Sequence, residues 1–121
     1  MIEKRNETGL AEMLTAAVDG LDVAVTIIDT RGFLLYYNDE ASKILDRKAE
    51  YIGTDAHLHH KKAASNEKFD SMLESFKAGR REPYHYDARP YGKLLRVTLA
   101  PIIQEGEYVG CVQTVRLKEP A

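Results

Sequence analysis

The sequence predicts one domain of the α+β class, in which helices pack on an antiparallel β-sheet. Two largely apolar runs, residues 23–28 and 33–37, are joined by the turn sequence Asp29-Thr30-Arg31-Gly32. Apolar residues also recur at intervals of three and four over 10–21 and 69–76, which is the pattern of two amphipathic helices. Apolar and polar residues alternate over 95–99, which is typical of a strand with one buried face.

Length and composition are those of a single domain with an ordinary surface. The chain has 121 residues, 44% apolar content, a net charge of −2 and one cysteine. Such a chain can form a hydrophobic core, has no strongly basic surface for nucleic acid, and cannot form an internal disulfide. Residues 1–7 lack the apolar core of a signal peptide, and no apolar stretch approaches the ~20 residues that cross a bilayer. We therefore expect a cytoplasmic protein with neither a membrane nor a direct nucleic-acid partner.

The first element is a helix over residues 8–20. Thr8 is a suitable N-cap because its hydroxyl can accept from a free backbone N–H, and Gly20 is a suitable end. The apolar positions form one stripe: Leu10, Met13, Leu14, Ala17, Val18 and Leu21. A short leading helix needs an apolar partner, so residues 8–21 pack either on their own domain or on a second copy in a homodimer.

Two strands and a second helix follow. Asp29 can accept from the backbone of its own turn, and Gly32 can adopt a positive φ, so residues 23–29 and 33–37 form a hairpin-like pair. Asn38 is the expected N-cap of a helix that begins at Asp39. The buried side of that helix consists of Ala41, Ile44 and Leu45.

The middle of the chain, residues 46–64, is expected to be irregular, with a short helical turn at Tyr51-Ile52-Gly53. A third helix over 65–79 ends at Gly79. Its buried face consists of Phe69, Met72, Leu73 and Phe76.

The last third is predicted to be β-structure. Strands are expected over 84–88, 95–99 and 108–117, separated by turns at 90–93 and 105–107. Pro101 lacks a backbone N–H, so it either closes the second of these strands or lies where no ladder donor is needed.

The ordered set of fixed positions resembles a PAS domain over about residues 20–117. The residues that carry the resemblance are Asp29, Gly32, Asn38, Ala41, Gly53, Pro101-Ile102, Gly106 and Gly110. Phe76-Lys77-Ala78-Gly79 before a hairpin is similar to a subgroup in bacterial and archaeal sensors. The resemblance implies a five-stranded antiparallel sheet of order 2-1-5-4-3 with helices on one face. It also implies a flanking helix at 1–21, the PAS domain at 22–117 and a tail at 118–121.

PAS membership would imply a sensory, non-enzymatic module. A small ligand or cofactor would bind between the sheet and the 65–79 helix, and the response would pass to a partner signalling domain through the leading helix or a dimer. The implied cleft residues are Phe69, Met72, Leu73, Val97, Leu99 and Val112, and Phe76 belongs to the helix face that could line a cofactor pocket. His85 is a further candidate if it faces inward, but a solvent-facing position on its strand is the favoured alternative. The alternative is a homodimerisation module that binds no ligand.

Flavin is disfavoured by two departures from the family's light and redox sensors. Those that bind flavin covalently carry a cysteine in the middle region, whereas Cys111 lies on the last predicted strand. Flavin redox sensors commonly use a tryptophan, and this chain has none. Cys111 is better interpreted as a small buried apolar residue.

His57, His59 and His60 form an unusual local cluster of three imidazoles. His60 falls where some PAS haem sensors place the proximal histidine, which makes haem a candidate cofactor with His60 or His57 as the iron ligand. A zinc site completed by Asp55 or His85, and with it a metal-dependent enzyme, is a third hypothesis. The alternative is a solvated helix entry next to Lys61-Lys62.

Overall fold

The computed structural model describes residues 4–56, 63–89 and 92–118. The elements are α1 (Lys4–Asp19), β1 (Ala24–Asp29), β2 (Leu34–Tyr37), α2 (Asp39–Ile44), a short 3₁₀ helix (Ala49–Tyr51), α3 (Ala63–Lys77), β3 (Tyr84–Ala88), β4 (Leu95–Gln104) and β5 (Glu107–Leu117). The order of helices and strands confirms the α+β prediction.

The five strands form one antiparallel sheet in the order β2-β1-β5-β4-β3. This confirms the order implied by the PAS resemblance. The central strand is therefore β5, the last in sequence. The first strand, β1, pairs with it directly.

The turn between β1 and β2 forms as its side chains predict. Asp29 Oδ1 accepts hydrogen bonds from the backbone N–H groups of Arg31 at 2.9 Å and Phe33 at 3.0 Å. Gly32 has a φ of 90°, a conformation that side chains with a Cβ rarely adopt. The turn is thus stabilised by hydrogen bonds among its own residues.

Asn38 joins four segments at one end of the sheet. Its Oδ1 accepts from the backbone N–H groups of Val25 at 2.8 Å and Ala41 at 3.0 Å, the second bond being the predicted cap of α2. Its Nδ2 donates to the carbonyl oxygens of Val18 at 2.8 Å and Val23 at 2.9 Å. The side chain is 1% exposed, so these bonds form where water does not compete for them.

Both later helices pack on the same face of the sheet, called here the inner face. Met72, Leu73 and Phe76 of α3 are buried in one core cluster, against the sheet residues Ile28, Leu34, Leu99 and Cys111. Ala41 of α2 lies in a second cluster, with Ala24, Leu95, Val97 and Val115. The inner face is therefore covered by α2 at one end and by α3 at the other.

Helix α1 begins earlier than the predicted residue 8, but it ends at the predicted position. It begins at Lys4, so Thr8 lies inside the helix and is not the N-cap, because the polar segment before it continues the same helical turns. It ends at Asp19, where the Gly20 N–H bonds to the carbonyl of Ala16 at 3.1 Å. In the described part of the chain, no helix is long and apolar enough to cross a membrane.

Strand β4 is longer than predicted because Pro101 does not interrupt it. Pro101 pairs with Cys111 of β5 on one side. On the other side, pairing with β3 stops at Leu99, which lies opposite Tyr84, the first residue of β3. One side of β4 at Pro101 is therefore a free edge, where a missing N–H costs no ladder bond. The helix end at Gly79 is confirmed by its φ of 117° and by the bond from Arg80 N to the Ser75 carbonyl at 3.0 Å.

Candidate functional site

A cavity of about 40 Å³ lies between the inner face of the sheet and α3. Its polar lining residues are Thr26, Arg47 and Gln113. Its apolar lining residues are Ile28, Leu34, Ala56, Phe69 and Leu99. The site is thus an apolar cleft with one polar wall, which is a common composition for small-molecule sites.

The sheet register places Thr26 and Gln113 side by side on the inner face. Thr26 of β1 pairs directly with Gln113 of β5, and Gln113 pairs with Leu99 of β4. Directly paired residues in an antiparallel sheet point to the same face. Two polar side chains therefore interrupt an otherwise apolar surface at its centre.

Arg47 reaches these two residues from the segment that follows α2. Its Nε donates to Thr26 Oγ1 at 3.2 Å, and its Nη2 donates to Gln113 Oε1 at 3.2 Å. Its Nη1 donates to the Asp46 carbonyl oxygen at 3.2 Å. A guanidinium can only donate, so each contact uses one lone pair of the accepting oxygen. The hydroxyl proton of Thr26 and the amide N–H groups of Gln113 remain as donors on the same wall.

The rim of the cavity is set by backbone pairing beside β2. Leu34 N donates to Thr54 O at 2.8 Å, and Gly53 N donates to Leu34 O at 2.7 Å. Ala56 N then donates to Gly32 O at 2.9 Å. These bonds carry the 53–56 segment along the hairpin and bring the Ala56 methyl group to the cavity.

The predicted cleft residues separate into two groups on this face. Phe69 and Leu99 line the cavity. Met72, Leu73 and Phe76 are at most 6% exposed and belong to the core that supports the cavity. Val97 is buried in the second cluster, near α2.

Val112 requires correction, and His85 takes the solvent-facing alternative, because both lie on the face of the sheet opposite the cleft. Val112 pairs with Ile27 and Ala100, whereas its neighbour Cys111 is the residue that packs in the inner core. His85 is exposed and its Nδ1 lies 3.0 Å from Thr98 Oγ1. Side chains alternate along a strand, so neither residue reaches the cleft.

The histidines of the predicted cluster, His57, His59 and His60, lie outside the described residues. Over residues 4–56, 63–89 and 92–118, no group of three or more histidine, cysteine or acidic side chains is placed to hold a metal ion. Haem ligation by His60 or His57 therefore stays a prediction. A porphyrin is much larger than the cavity, so haem in this cleft would require α3 to move away from the sheet.

Cys111 is confirmed as a buried residue of the sheet. Its thiol is 0% exposed and lies 3.2 Å from the hydroxyl of Tyr108. Burial raises the pKa of the Cys111 thiol, and burial also raises the pKa of Tyr108 well above its usual value. A thiol held in its neutral form is a poor nucleophile.

Sequence reasoning missed Thr26, Arg47 and Gln113, although a signal for two of them exists. Thr26 alternates with the buried Ala24 and Ile28, and Gln113 alternates with the buried Cys111 and Val115. A polar residue at an inward position of two strands indicates a polar point on a buried face.

Comparison with known proteins identifies the family. The sequence profile of the PAS domain matches residues 14–116, which is most of the chain. The chain belongs to the PAS domain family. PAS domains are sensory and signalling modules and are generally not enzymes.

Solved structures show the same PAS fold at low sequence identity. A C-terminal domain from Streptococcus mutans is 21% identical with a TM-score of 0.74, covering 88% of this chain and 84% of that one. The PAS domain of Bordetella pertussis BvgS is 18% identical with a TM-score of 0.73, covering 93% and 88%. The phage VqmA–DPO complex is 20% identical with a TM-score of 0.68, covering 92% of this chain and 54% of that one. A comparison with curated protein sequences gives no match.

Proposed function

We propose that this PAS domain is a sensor that binds a small ligand in the cavity between the sheet and α3. The observation that carries the proposal is the cavity itself, which combines an apolar lining with the polar wall of Thr26, Arg47 and Gln113. A core without a ligand role seldom places three polar side chains at its centre, because each loses hydration on burial. The VqmA–DPO complex supports the proposal, since a structure with this fold is a complex with a molecule named DPO.

The relay would run from the sheet to α1. Asn38 bonds to both Val18 at the end of α1 and Val25 of β1, and β1 also carries Thr26 of the cavity wall. Tyr36 of β2 adds a second tie, because its hydroxyl donates to Asp19 Oδ1 at 2.8 Å. A ligand that shifts β1 would change the preferred position of α1 if it binds two arrangements with different affinity.

Fragment binding tests this proposal. Amide NMR spectra of the wild-type protein would be recorded with mixtures of small neutral and charged organic fragments. We expect at least one fragment to shift the signals of cavity residues such as Leu99 in a saturable way, and to shift those of Val18 and Asp19 at the end of α1. Ala56→Leu would fill part of the cavity and should abolish these shifts.

Ala49→Leu is the matched control, because Ala49 is exposed in the 3₁₀ helix and does not line the cavity. It should bind the same fragments as the wild type. Equal binding by wild type and Ala56→Leu, or no binding by either, would contradict the proposed sensor.

A ligand-free homodimerisation module is the second candidate, and the surface of α1 favours it. Leu10, Met13 and Leu14 are 50%, 66% and 57% exposed, although they form one stripe of the helix. Half or more of each of these side chains is left uncovered by the described part of the domain, and exposed apolar area of this kind is favourable to bury against another surface. We infer that residues 8–21 pair with the same helix of a second copy.

The double variant Met13→Glu/Leu14→Glu tests the dimer. Four carboxylates would face one another across the paired helices, so we expect the dimer measured by analytical ultracentrifugation to dissociate. The fold of each chain should persist, because both side chains are exposed. Glu12→Gln, on the same helix outside the stripe, is the control; a dimer that survives the double variant would place the interface elsewhere.

A further inference from the structure

We propose that the outer face of the sheet, which is the face opposite the cavity, binds an amphipathic helix of a partner protein. Carboxylates along one flank of that helix would lie against Arg96 and Arg116. The inference goes beyond the proposed function, because it concerns the other side of the sheet and uses no residue of the cavity. It starts from a change of residue type along the strands β4 and β5.

Strands β4 and β5 show the same change of residue type along the outer face. The outward residues are, in order, Ile102, Ala100, Thr98 and Arg96 in β4, and Gly110, Val112, Thr114 and Arg116 in β5. Each residue of the first series pairs directly with the corresponding residue of the second, so the two series form rows across the sheet. The outer face therefore has an apolar end and a basic end, with threonines between them.

The basic end is not neutralised by the described residues of the domain. Like charges at directly paired positions repel, so Arg96 opposite Arg116 is unfavourable. Asp87 binds two cations here, because its Oδ1 accepts from Arg96 Nε at 2.8 Å and its Oδ2 accepts from Lys118 Nζ at 2.7 Å. Among the described residues, Arg116 forms no side-chain hydrogen bond or ion pair. A carboxylate supplied by another molecule would pair with Arg116 and reduce the repulsion.

The apolar end is left partly open by the described elements. Helices α2 and α3 pack on the inner face and do not cover it. Ile27 of β1 pairs with Val112 and extends the apolar row, and Ile27, Val112, Ala100 and Ile102 are each partly exposed. An apolar area beside arginines has the composition of a protein interface, in which arginine is enriched and a polar rim surrounds an apolar centre.

A helix fits this surface better than an extended segment does. A helix bonds its own backbone groups, whereas an extended segment lying on a sheet face would leave its backbone groups unpaired over the apolar end. Val112 and Arg116 are four positions apart on β5, which is about 14 Å at ~3.4 Å per residue. A helix with its side chains is about 10–12 Å across, so a helix with its apolar stripe over Val112 can place carboxylates on one flank near Arg116.

The charge of the basic end also selects the partner. Helix α1 of a second copy has an apolar stripe, but Lys4 and Arg5 offset Glu7 and Glu12 in its sequence. Such a helix gains little at two arginines, because complementary charge is what fixes orientation and specificity at an interface. We therefore assign the surface to a different protein, whose helix has an acidic flank.

A pair of synthetic helical peptides tests the assignment. Each has about 18 residues, enough for an isolated helix to form, and one leucine stripe. The first carries glutamates along one flank of the stripe, and the second carries glutamines at the same positions. In amide NMR titrations of the wild type, the glutamate peptide should shift the signals of Thr98, Ala100, Val112 and Thr114 in a saturable way. We expect the glutamine peptide to bind about 10-fold more weakly, and the difference to shrink at high salt.

Two variants of Arg116 assign the effect to the basic end. Arg116→Gln should weaken binding of the glutamate peptide by about 3- to 10-fold, and Arg116→Glu by about 10- to 100-fold. The thermal unfolding midpoint of neither variant should fall, because both remove the repulsion with Arg96. A merely structural role of Arg116 would lower that midpoint. Lys77→Gln is the control, because it removes one exposed positive charge from α3, on the other side of the sheet.

The outcomes that would overturn the inference are distinct from those that test the sensor. Equal binding of the two peptides, no saturable shift on the outer face with either, or unchanged binding in both Arg116 variants would each reject an acidic helix at this surface. Dissociation of the dimer by Val112→Glu, measured by analytical ultracentrifugation, would assign the surface to a second copy instead. Ala56→Leu fills the cavity and leaves the outer face unchanged, so it should bind the glutamate peptide as the wild type does.

Discussion

The side chain of Asn38 forms hydrogen bonds to the sheet, to α1 and to α2. Its replacement tests whether these bonds stabilise the fold. Asn38→Leu would remove four side-chain hydrogen bonds at a site that is 1% exposed. The Ala41 N–H and the Val18 carbonyl keep backbone bonds, to Asn38 O at 3.1 Å and from Leu21 N at 3.2 Å, so the Val25 N–H and the Val23 carbonyl lose most. We expect a loss of about 2–4 kcal/mol in the free energy of unfolding, since each unsatisfied buried group costs about 1–3 kcal/mol and relaxation recovers part of it. Urea unfolding followed by circular dichroism measures the change.

Ser42→Ala is the matched control for this loss. Ser42 lies in the same helix, and its hydroxyl donates to the Asp39 carbonyl at 2.7 Å, but its side chain is exposed. Its removal should change the stability by at most about 0.5 kcal/mol. Similar losses in the two variants would show that Asn38 acts only through the start of α2.

Gly110 is a second residue whose identity is dictated by its surroundings. A Cβ at this position would lie 2.5 Å from the carbonyl oxygen of Ile28, a backbone atom of the neighbouring strand. Gly110→Ala should therefore push β1 and β5 apart and destabilise the protein by about 1–3 kcal/mol. Gly9→Ala, in α1 with nothing within 4 Å of the new methyl group, should instead stabilise it by about 0.5–1 kcal/mol. A neutral Gly110→Ala in the same thermal or urea experiment would contradict this account.

At the scale of elements, local chemistry made most of the fold predictable. The Asp29 turn, the Asn38 cap and the Gly79 helix end each depend on residues a few positions apart, and each forms as predicted. The site was less predictable because it depends on contacts between distant segments. The bond from Arg47 to Gln113 joins residues 66 positions apart.

Strand β5 shows why the inward face of a strand can be assigned wrongly. Its apolar residues occupy both faces, with Cys111 and Val115 inward and Val112 outward. Hydrophobicity alone therefore does not identify the buried side, and the register with β1 decides it. Gln113 would have been recognised as a site residue if that register had been known.

The connection between α1 and β2 gives a prediction about pH. Burial, with the hydrogen bond to Asp19 and the charge of that carboxylate, raises the pKa of Tyr36 to about 12. The unfolded chain titrates near a pKa of about 10, so the folded state favours the neutral phenol, and its contribution is complete below pH ~10 and is lost as pH rises through ~12. Tyr36→Phe should lower stability by about 0.5–1.5 kcal/mol at neutral pH.

The difference in unfolding free energy between wild type and Tyr36→Phe is the quantity to measure against pH. It should stay constant from neutral pH to about pH 10 and then shrink toward pH ~12. Taking the difference removes the contributions of the other tyrosines that both proteins share. A difference that is constant over the whole range would mean that Tyr36 does not titrate against Asp19.

At the scale of the whole molecule, a sensor that relays through α1 must couple its cavity to its dimer interface. The cavity wall and the end of α1 are both attached to β1, through Thr26 and through the Asn38 bond to Val25. If ligand binding changes the dimer dissociation constant by a given factor, dimerisation must change the dissociation constant of the ligand by the same factor. With a fragment that binds the cavity as the probe, we expect both constants to change by about 5- to 150-fold, the usual range of such coupling.

Two titrations on the same protein measure the two factors. Analytical ultracentrifugation gives the dimer dissociation constant with and without a saturating concentration of the fragment. NMR gives the affinity of the fragment at protein concentrations above and below the dimer dissociation constant. Asn38→Asp keeps the acceptor that caps α2 but replaces the donor to Val18 and Val23, so it should reduce both factors together. If the fragment binds while the dimer dissociation constant is unchanged, the cavity and α1 are not linked, and any signal must leave the domain by another surface.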